Sequence, residues 1–249
     1  MAYDKVVDSQ QLDADLTSVA NAIRTRGGTS AQLAFPADFV SAVQAIPSGG
    51  GGQLPAGCTR VDWLQSDGTA YVDTGISLDD NEFSIAFDST FLTSSTSSAE
   101  LPVISIWTST YNYWNVFYQN NQLRWYIAQT SNIRGSLTYY TWVRATIRRV
   151  GGTWSSDFTD GTYTNNRTGY NPTANPTTIK LFTRGDLNGT NSLVRIGRVS
   201  ITISGTLTAD LIPCTNAANV AGFYDIVRGA FYGNGAASGA FTAGPATVY

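Results

Sequence analysis

The chain has 249 residues, of which 42% are hydrophobic and 12% aromatic, so it can supply the core of one large domain or two smaller ones. Charged residues make up only 13%, the formal net charge is -3, and all basic residues except Lys5 and Lys180 are arginines. A weakly acidic chain with scattered arginines does not favour nucleic-acid binding. The sequence also lacks an apolar run of about 18 residues, so we expect no membrane span.

Two further features of the composition narrow the possible chemistry. The chain contains no histidine, which removes the Ser-His-Asp and Cys-His nucleophile systems and the commonest zinc ligand. Its only glutamates are Glu82 and Glu100, so the Glu-x-Asp-x-Glu run of glucanase jelly rolls is missing. A glycosidase could still use two aspartates brought together in space. We expect a protein without catalytic residues or a cofactor, and keep a polysaccharide-cleaving enzyme as an alternative.

The first part of the chain has the pattern of a helical module. Residues 8–26 predict a long helix with Asp8 as its N-cap and Gly27-Gly28 at its end. Apolar residues recur along it at spacings of four, three and four and predict an oligomerisation seam: Leu12, Leu16, Val19 and Ile23. We interpret residues 1–47 as an attachment module that forms a homotrimer. Packing of its helices on the rest of the chain is the alternative.

A glycine-rich linker at residues 48–57 is expected to separate this module from residues 58–249, where the pattern changes. Short apolar or alternating runs follow each other at near-regular spacing without helices, which predicts a two-sheet β-sandwich. These runs lie at residues 69–74, 83–87, 101–107, 112–118, 122–128, 139–149, 178–183, 193–203 and 208–213. The Asn120-Asn121 pair suits a type I′ hairpin turn. Residues 151–176 are expected to be a surface excursion.

The stretch from Leu211 to Gly244 reads as short strands that carry isolated aromatic residues. Such strands cannot bury these side chains alone, so they need a sheet supplied by earlier residues, and the motif at residues 60–75 is the expected partner. Cys58 and Cys214 belong to these two ends. We therefore predict that they lie close in space, either as a single disulfide or as two free thiols.

The run Trp63–Gly75 resembles the opening of concanavalin-like, or laminin-G-like, jelly rolls found in phage and bacterial surface proteins. Residues 196–201, followed by 211–214 and 222–225, resemble the ending of the same family. The resemblance covers about residues 55–245 and implies a mostly β, concanavalin-like jelly-roll sandwich. That family has no invariant catalytic set to carry over.

Residues 16–24 and 27–36 are similar to N-terminal segments of phage tail and other virion proteins. This resemblance implies that residues 1–47 bind other virion proteins. The beginning of the sequence shows no secretory signal, so we expect synthesis in the bacterial cytoplasm and a location in the virion.

Aromatic residues are dense between residues 107 and 126. Alternate residues of a strand face opposite ways, so one set builds the core and the other faces outward beside Asn, Gln and Arg. Rings beside amide and guanidinium donors suit sugar binding. The predicted carbohydrate-binding residues are Tyr111, Tyr113, Trp114, Tyr118, Arg124, Trp125 and Tyr126. The core accounts for most of these rings, and for the others sandwich filling with cross-strand pairing, or an inter-subunit contact, is the alternative.

The cluster Asp79-Asp80-Asn81-Glu82 is oxygen-rich, as calcium sites are, but turns also select Asp and Asn, so we expect no metal site. The combined interpretation is a phage virion protein of fibre or adhesin type. Its sandwich binds a host-surface glycan by weak recognition multiplied by copy number. A purely structural capsid or tail decoration protein is the alternative.

Overall fold

The computed structural model of the protein describes residues 9–25, 32–44, 54–78, 82–92, 100–109, 112–127, 130–151, 153–158, 161–165, 178–184 and 193–247. The chain divides into two compact units, residues 1–53 and 54–249. The predicted linker, the N-cap Asp8 and Gly27-Gly28 lie outside or largely outside the described residues.

The first unit contains the helices α1 (Ser9–Thr25) and α2 (Ala37–Gln44). They form a small core in which Ala20 and Ile23 of α1 are buried with Phe39 and Ala42 of α2. Neither of these helices is long and apolar enough to span a membrane, as far as the described residues extend.

The predicted oligomerisation seam is divided between the inside and the outside of this unit. Leu12 and Val19 are exposed, whereas Ile23 is buried and Leu16 packs against the small core. The prediction that all four side chains face another subunit is therefore wrong for Ile23, because α2 already covers it. The trimer stays a prediction.

The second unit is built from β-strands. Within the described residues these are β1 (Thr59–Arg60), β2 (Leu64–Ser66), β3 (Val72–Ser77), β4 (Phe83–Phe91), β5 (Leu101–Ser109), β6 (Asn112–Gln119), β7 (Gln122–Ile127), β8 (Thr130–Ser136), β9 (Val143–Val150), β10 (Thr153–Phe158), β11 (Gly161–Asn165), β12 (Thr178–Leu181), β13 (Val194–Ile203), β14 (Thr206–Thr215), β15 (Ala221–Asp225), β16 (Ala230–Tyr232) and β17 (Phe241–Ala243).

These strands form two antiparallel sheets. The larger has the order β11-β10-β9-β4-β13-β14-β15-β16, with β1 on β14, β2 on β13 and β17 on β2; the smaller has the order β3-β12-β5-β6-β7-β8. Alternate apolar residues of both sheets meet in one core, as in β4, where Phe83, Ile85 and Phe87 are buried. The predicted mostly β sandwich of jelly-roll type is confirmed.

Two local expectations had different outcomes. The hairpin of β6 and β7 turns at Asn120 and Asn121, whose φ angles of 53° and 54° are the positive values that a type I′ turn requires. The expected surface excursion at 151–176 is wrong for β10 and β11, which extend the larger sheet beyond β9. The sequences of these strands, TWSSDF and GTYTN, are mostly polar, so no apolar alternation marks them as strands.

The two ends of the sandwich pair with each other, as the sequence predicts. Arg60 lies opposite Cys214, Ser66 lies opposite Phe241, and Val61 forms a bridge with Ala246. The closing stretch therefore completes the sheet that the opening motif begins. The predicted proximity of the two thiols is also confirmed, since Cys58 immediately precedes β1, in which Thr59 and Arg60 lie opposite Thr215 and Cys214.

A candidate binding pocket on the larger sheet

A pocket lies on the larger sheet where β13 and β14 stop pairing with each other. Beyond the pair Val199 and Leu211, β14 continues against β1 and β13 continues against β2. The segment between β1 and β2 therefore crosses from one strand to the other and forms one wall. The cavity volume is about 450 Å³, within the usual range of ligand sites. Its lining residues are Arg60, Val61, Asp62, Trp63, Asp88, Trp142, Arg144, Gly197, Arg198, Pro213 and Thr247.

A β-bulge in β13 shapes this pocket. Ile196 lies opposite Ser89 and Val199 lies opposite Phe87, so Gly197 and Arg198 together face the single residue Asp88. A Cβ at position 197 would lie 3.2 Å from the Cβ of Asp88 and 3.5 Å from the carbonyl oxygen of Asp62. Glycine thus allows both aspartates to approach the same strand position.

Arg198 is held in place by a buried carboxylate. Its Nε donates a hydrogen bond of 2.6 Å to Oδ1 of Asp210, and its Nη2 donates to Oδ2 of the same group. Asp210 is completely buried, and bidentate pairing fixes the plane of a guanidinium. Arg198 is therefore pre-organised before a ligand arrives.

Asp88 and Arg144 are neighbours across β4 and β9. Their closest charged atoms, Oδ1 of Asp88 and Nε of Arg144, are 3.7 Å apart, and 70% of the Arg144 side chain is exposed. Burial raises the pKa of Asp88, while the positive charges of Arg144 and Arg198 partly offset that rise. The pocket therefore combines guanidinium donors with a partly desolvated carboxylate.

Two tryptophans line the pocket in different ways. Trp63 is tightly packed, because the guanidinium carbon of Arg195 lies 3.7 Å from its ring centroid and a Cβ on Gly244 would lie only 2.7 Å from its Cε2. Trp142, in contrast, is 43% exposed. One indole is thus a fixed part of the wall, and the other is accessible to a ligand.

Trp142 belongs to an aromatic loop, Tyr139–Trp142, between β8 and β9. Tyr139 and Tyr140 are also exposed, although the backbone N–H of Tyr140 donates a 2.8 Å hydrogen bond to the carbonyl of Phe91. The sequence prediction included this segment in a strand at 139–149. The missed signal is that the alternation of apolar and polar residues begins only at Val143. The rings before it therefore lie outside the alternating strand.

The predicted carbohydrate-binding residues do not form an exposed groove. Trp114, Tyr118 and Trp125 are 0%, 0% and 2% exposed and belong to the core between the sheets, so their prediction as binding residues is wrong. Tyr118 stacks on Phe91 and its hydroxyl lies 2.9 Å from Ser89 Oγ. Burial raises the pKa of Tyr118. Trp114, Tyr118 and Trp125 are buried because their face of the hairpin supplies the core.

Arg124 and Tyr126 lie on the opposite face of β7. The guanidinium of Arg124 donates to the side-chain oxygens of Gln119 and Gln122, at 2.9 Å and 2.7 Å. Tyr126 is half-buried, with its ring centroid 4.8 Å from that of the buried Phe117. Both side chains are therefore engaged within the sheet. Tyr111 and the side chain of Tyr113 lie outside the described residues.

No group of three or more potential metal-ligating His, Cys, Asp or Glu side chains occurs in the described part of the chain. Most of the oxygen-rich cluster, Asp79-Asp80-Asn81, lies outside that part, whereas Glu82 is exposed. The residues that line the pocket thus offer hydrogen bonds, charge and aromatic surface.

Neither a protein-family model nor a curated protein matches the chain. Among solved structures, Ruminococcus gnavus IT-sialidase CBM40 matches with a TM-score of 0.44 and 8% identity, covering 58% of this chain and 90% of that one. Mouse laminin alpha1 chain domains LG4-5 match with a TM-score of 0.41 and 9% identity over 63% and 44% of the two chains. A Trypanosoma rangeli sialidase mutant matches with a TM-score of 0.40 and 13% identity over 48% and 20%. The chain thus spans less than half of the latter two, and such similarities carry no argument about function.

Proposed function

We propose that the second unit is a carbohydrate-binding sandwich and that the pocket on its larger sheet is the binding site. The observation that carries this proposal is the exposed indole of Trp142 beside polar groups that the fold holds in place. An exposed indole provides an apolar surface for the C–H groups of a sugar ring. Arg198 and Asp88 provide a donor and an acceptor for sugar hydroxyls.

In this proposal the pocket binds a sugar without cleaving it, and the protein acts as a virion adhesin. The virion location is proposed because residues 16–24 and 27–36 resemble segments of virion proteins. For the same reason we assign attachment to the first unit. Several copies joined through that unit, three in the proposed assembly, would present several weak sites at once. Linked sites gain avidity without new contacts, which suits a shallow sugar site.

The test is a glycan array probed with full-length protein and two variants. Trp142→Ala removes the exposed ring from the pocket, while Leu207→Ala removes a similarly exposed apolar side chain from the start of β14, outside the pocket lining. We expect the wild type and Leu207→Ala to bind the same glycans. Trp142→Ala should bind about tenfold more weakly, equivalent to about 1.4 kcal/mol.

Two outcomes would contradict the proposal. Absence of glycan binding by the multimeric wild type, together with binding to purified virion proteins, would favour the structural decoration role. Release of oligosaccharides from host polysaccharide, lost in Asp88→Asn, would show an enzyme instead. Mass spectrometry of purified virions tests the location separately.

A further inference from the structure

Two cysteines lie beside the wall of the pocket. Cys58 directly precedes the two-residue strand β1, and Cys214 lies in β14. The pairs Thr59 with Thr215 and Arg60 with Cys214 define the register of these antiparallel strands. Continued by one residue, this register places Cys58 and Cys214 on the same face of the two strands as diagonal neighbours.

The two thiols differ in their access to solvent. Cys58 is half-buried, whereas Cys214 is completely buried. Burial, and to a smaller extent the nearby Cys58 thiol, raises the pKa of Cys214 to about 12. A reagent in solution can therefore reach Cys58, whereas the thiol of Cys214 is shielded and only weakly acidic.

We propose that Cys58 and Cys214 form a redox-modification site, at which a small soluble disulfide such as oxidised glutathione converts them into an intramolecular disulfide. The disulfide would lie beside the wall of the pocket and would form whichever ligand the pocket binds.

The reaction proceeds through two exchanges. The Cys58 thiolate attacks one sulfur of oxidised glutathione, forming a mixed disulfide and releasing one glutathione thiolate. The Cys214 thiolate then attacks the sulfur of Cys58, which breaks the mixed disulfide and releases the second glutathione thiolate. Both thiolates take up the protons that the cysteines lost. Two protein thiols are oxidised, and one glutathione disulfide is reduced to two thiols.

The bond would fasten one wall of the pocket. Arg60 and Val61 follow Cys58, and Pro213 precedes Cys214; all three line the cavity. β1 is only two residues long and pairs with β14, so a covalent link there restrains the crossing segment between β1 and β2. The link also closes a long loop, which reduces the freedom of the unfolded chain.

The experiment treats reduced full-length protein with oxidised glutathione under native conditions and follows intact mass, alkylatable thiols and linked peptides over time. The wild type should pass through a glutathione adduct to a species that has lost both thiols and contains a Cys58–Cys214 peptide link. Cys214→Ser should stop at the adduct, and Cys58→Ser should stay unmodified because Cys214 is shielded. The second exchange should accelerate as pH rises.

The oxidised wild type should unfold at a higher urea concentration than the reduced wild type, and this difference should disappear in Cys58→Ser. A stable adduct as the final wild-type product would overturn the proposal. So would disulfide-linked dimers as the main product, rapid modification of Cys58→Ser, or a lower urea midpoint after oxidation.

Discussion

The hairpin β6–β7 and the loop Tyr139–Trp142 are both rich in aromatic residues, but they use them in opposite ways. Trp114, Tyr118 and Trp125 of the hairpin are at most 2% exposed, whereas Trp142 is 43% exposed. The hairpin rings alternate with residues of the opposite sheet face and share their own face with Val116 and Leu123 of the core. The loop rings precede the alternation of β9.

This difference shows that aromatic density alone does not indicate a binding surface. Large rings within a regular strand follow the alternation of their neighbours, and the face that also carries aliphatic side chains becomes the core. Rings outside an alternating segment have no such partner face. The loop is thus the better candidate for ligand binding, although it contains fewer rings.

Replacement of Trp114 by alanine should have the largest effect on stability. The side chain is completely buried between the sheets, and a large aromatic removed from a core leaves a cavity that neighbouring groups fill only in part. We expect a loss of about 3–5 kcal/mol in the free energy of unfolding, measured by urea denaturation. A loss below about 1 kcal/mol would show that the hairpin is not part of a packed core.

Gly244→Ala should reduce stability less than Trp114→Ala but more than Trp142→Ala. Its new methyl group would lie 2.7 Å from Cε2 of Trp63, so the fixed indole of the pocket wall must move. We expect a loss of about 1–3 kcal/mol in stability together with weaker glycan binding. Ala243→Gly serves as a control for backbone freedom at the neighbouring position. Unchanged stability and binding would mean that Trp63 is not held as tightly as its contacts indicate.

Trp142→Ala should change the free energy of unfolding by no more than about 0.5 kcal/mol, since its ring is substantially exposed. Urea denaturation of this variant beside Trp114→Ala measures the contrast between the two regions directly. A loss comparable to that of Trp114→Ala would indicate that Trp142 is a packing residue, and the binding proposal would then lose its main support.

Asp88→Asn should have the smallest effect, visible as a pH dependence. Burial raises the pKa of Asp88 above its unfolded value of about 3.9, so ionisation of this carboxyl favours the unfolded chain. The stabilising contribution of Asp88 is fully present below about pH 3.9 and is lost as pH rises through the folded pKa. Relative to the wild type, Asp88→Asn should therefore be more stable at neutral pH than near pH 4.

The Arg144→Gln background tests the cause of this shift. Removal of the positive charge at position 144 should raise the pKa of Asp88 further, because Arg144 lowers it in the wild type. The pH-dependent stability difference caused by Asp88→Asn, followed by urea denaturation, should then be larger in this background than in the wild type. A difference that stays flat between pH 4 and neutrality would contradict the assigned environment of Asp88.

The sequence predicts the sandwich well because its strands carry local signals. Alternation identifies strands such as β4, and Asn120-Asn121 identifies a turn. Alternation also separates the two faces of β6, but it does not by itself show which face is buried; the aliphatic Val116 beside Trp114 and Tyr118 is the available clue.

The pocket is harder to predict because it has no continuous motif. Its residues come from β1 and the crossing segment at positions 60–63, from β4, from Trp142 and the start of β9, from the bulge in β13, from Pro213 of β14 and from Thr247. Only the pairing of β13 with β2 and β4, of β14 with β1 and of β4 with β9 brings these together. The bulge at Gly197 depends on the register of two strands that are about a hundred residues apart in sequence.

The pairing of β2 with β17 also has a consequence for the order in which the protein acquires its structure. The outer edge of Leu64–Ser66 can pair only after Phe241–Ala243 has been synthesised. The hydroxyl of Thr247 likewise donates a 2.7 Å hydrogen bond to Asp62. During translation, nearly the whole sandwich must therefore leave the ribosome before this sheet and the pocket can close. Such distant pairing slows folding, and it leaves an open strand edge on the nascent chain that a chaperone could protect.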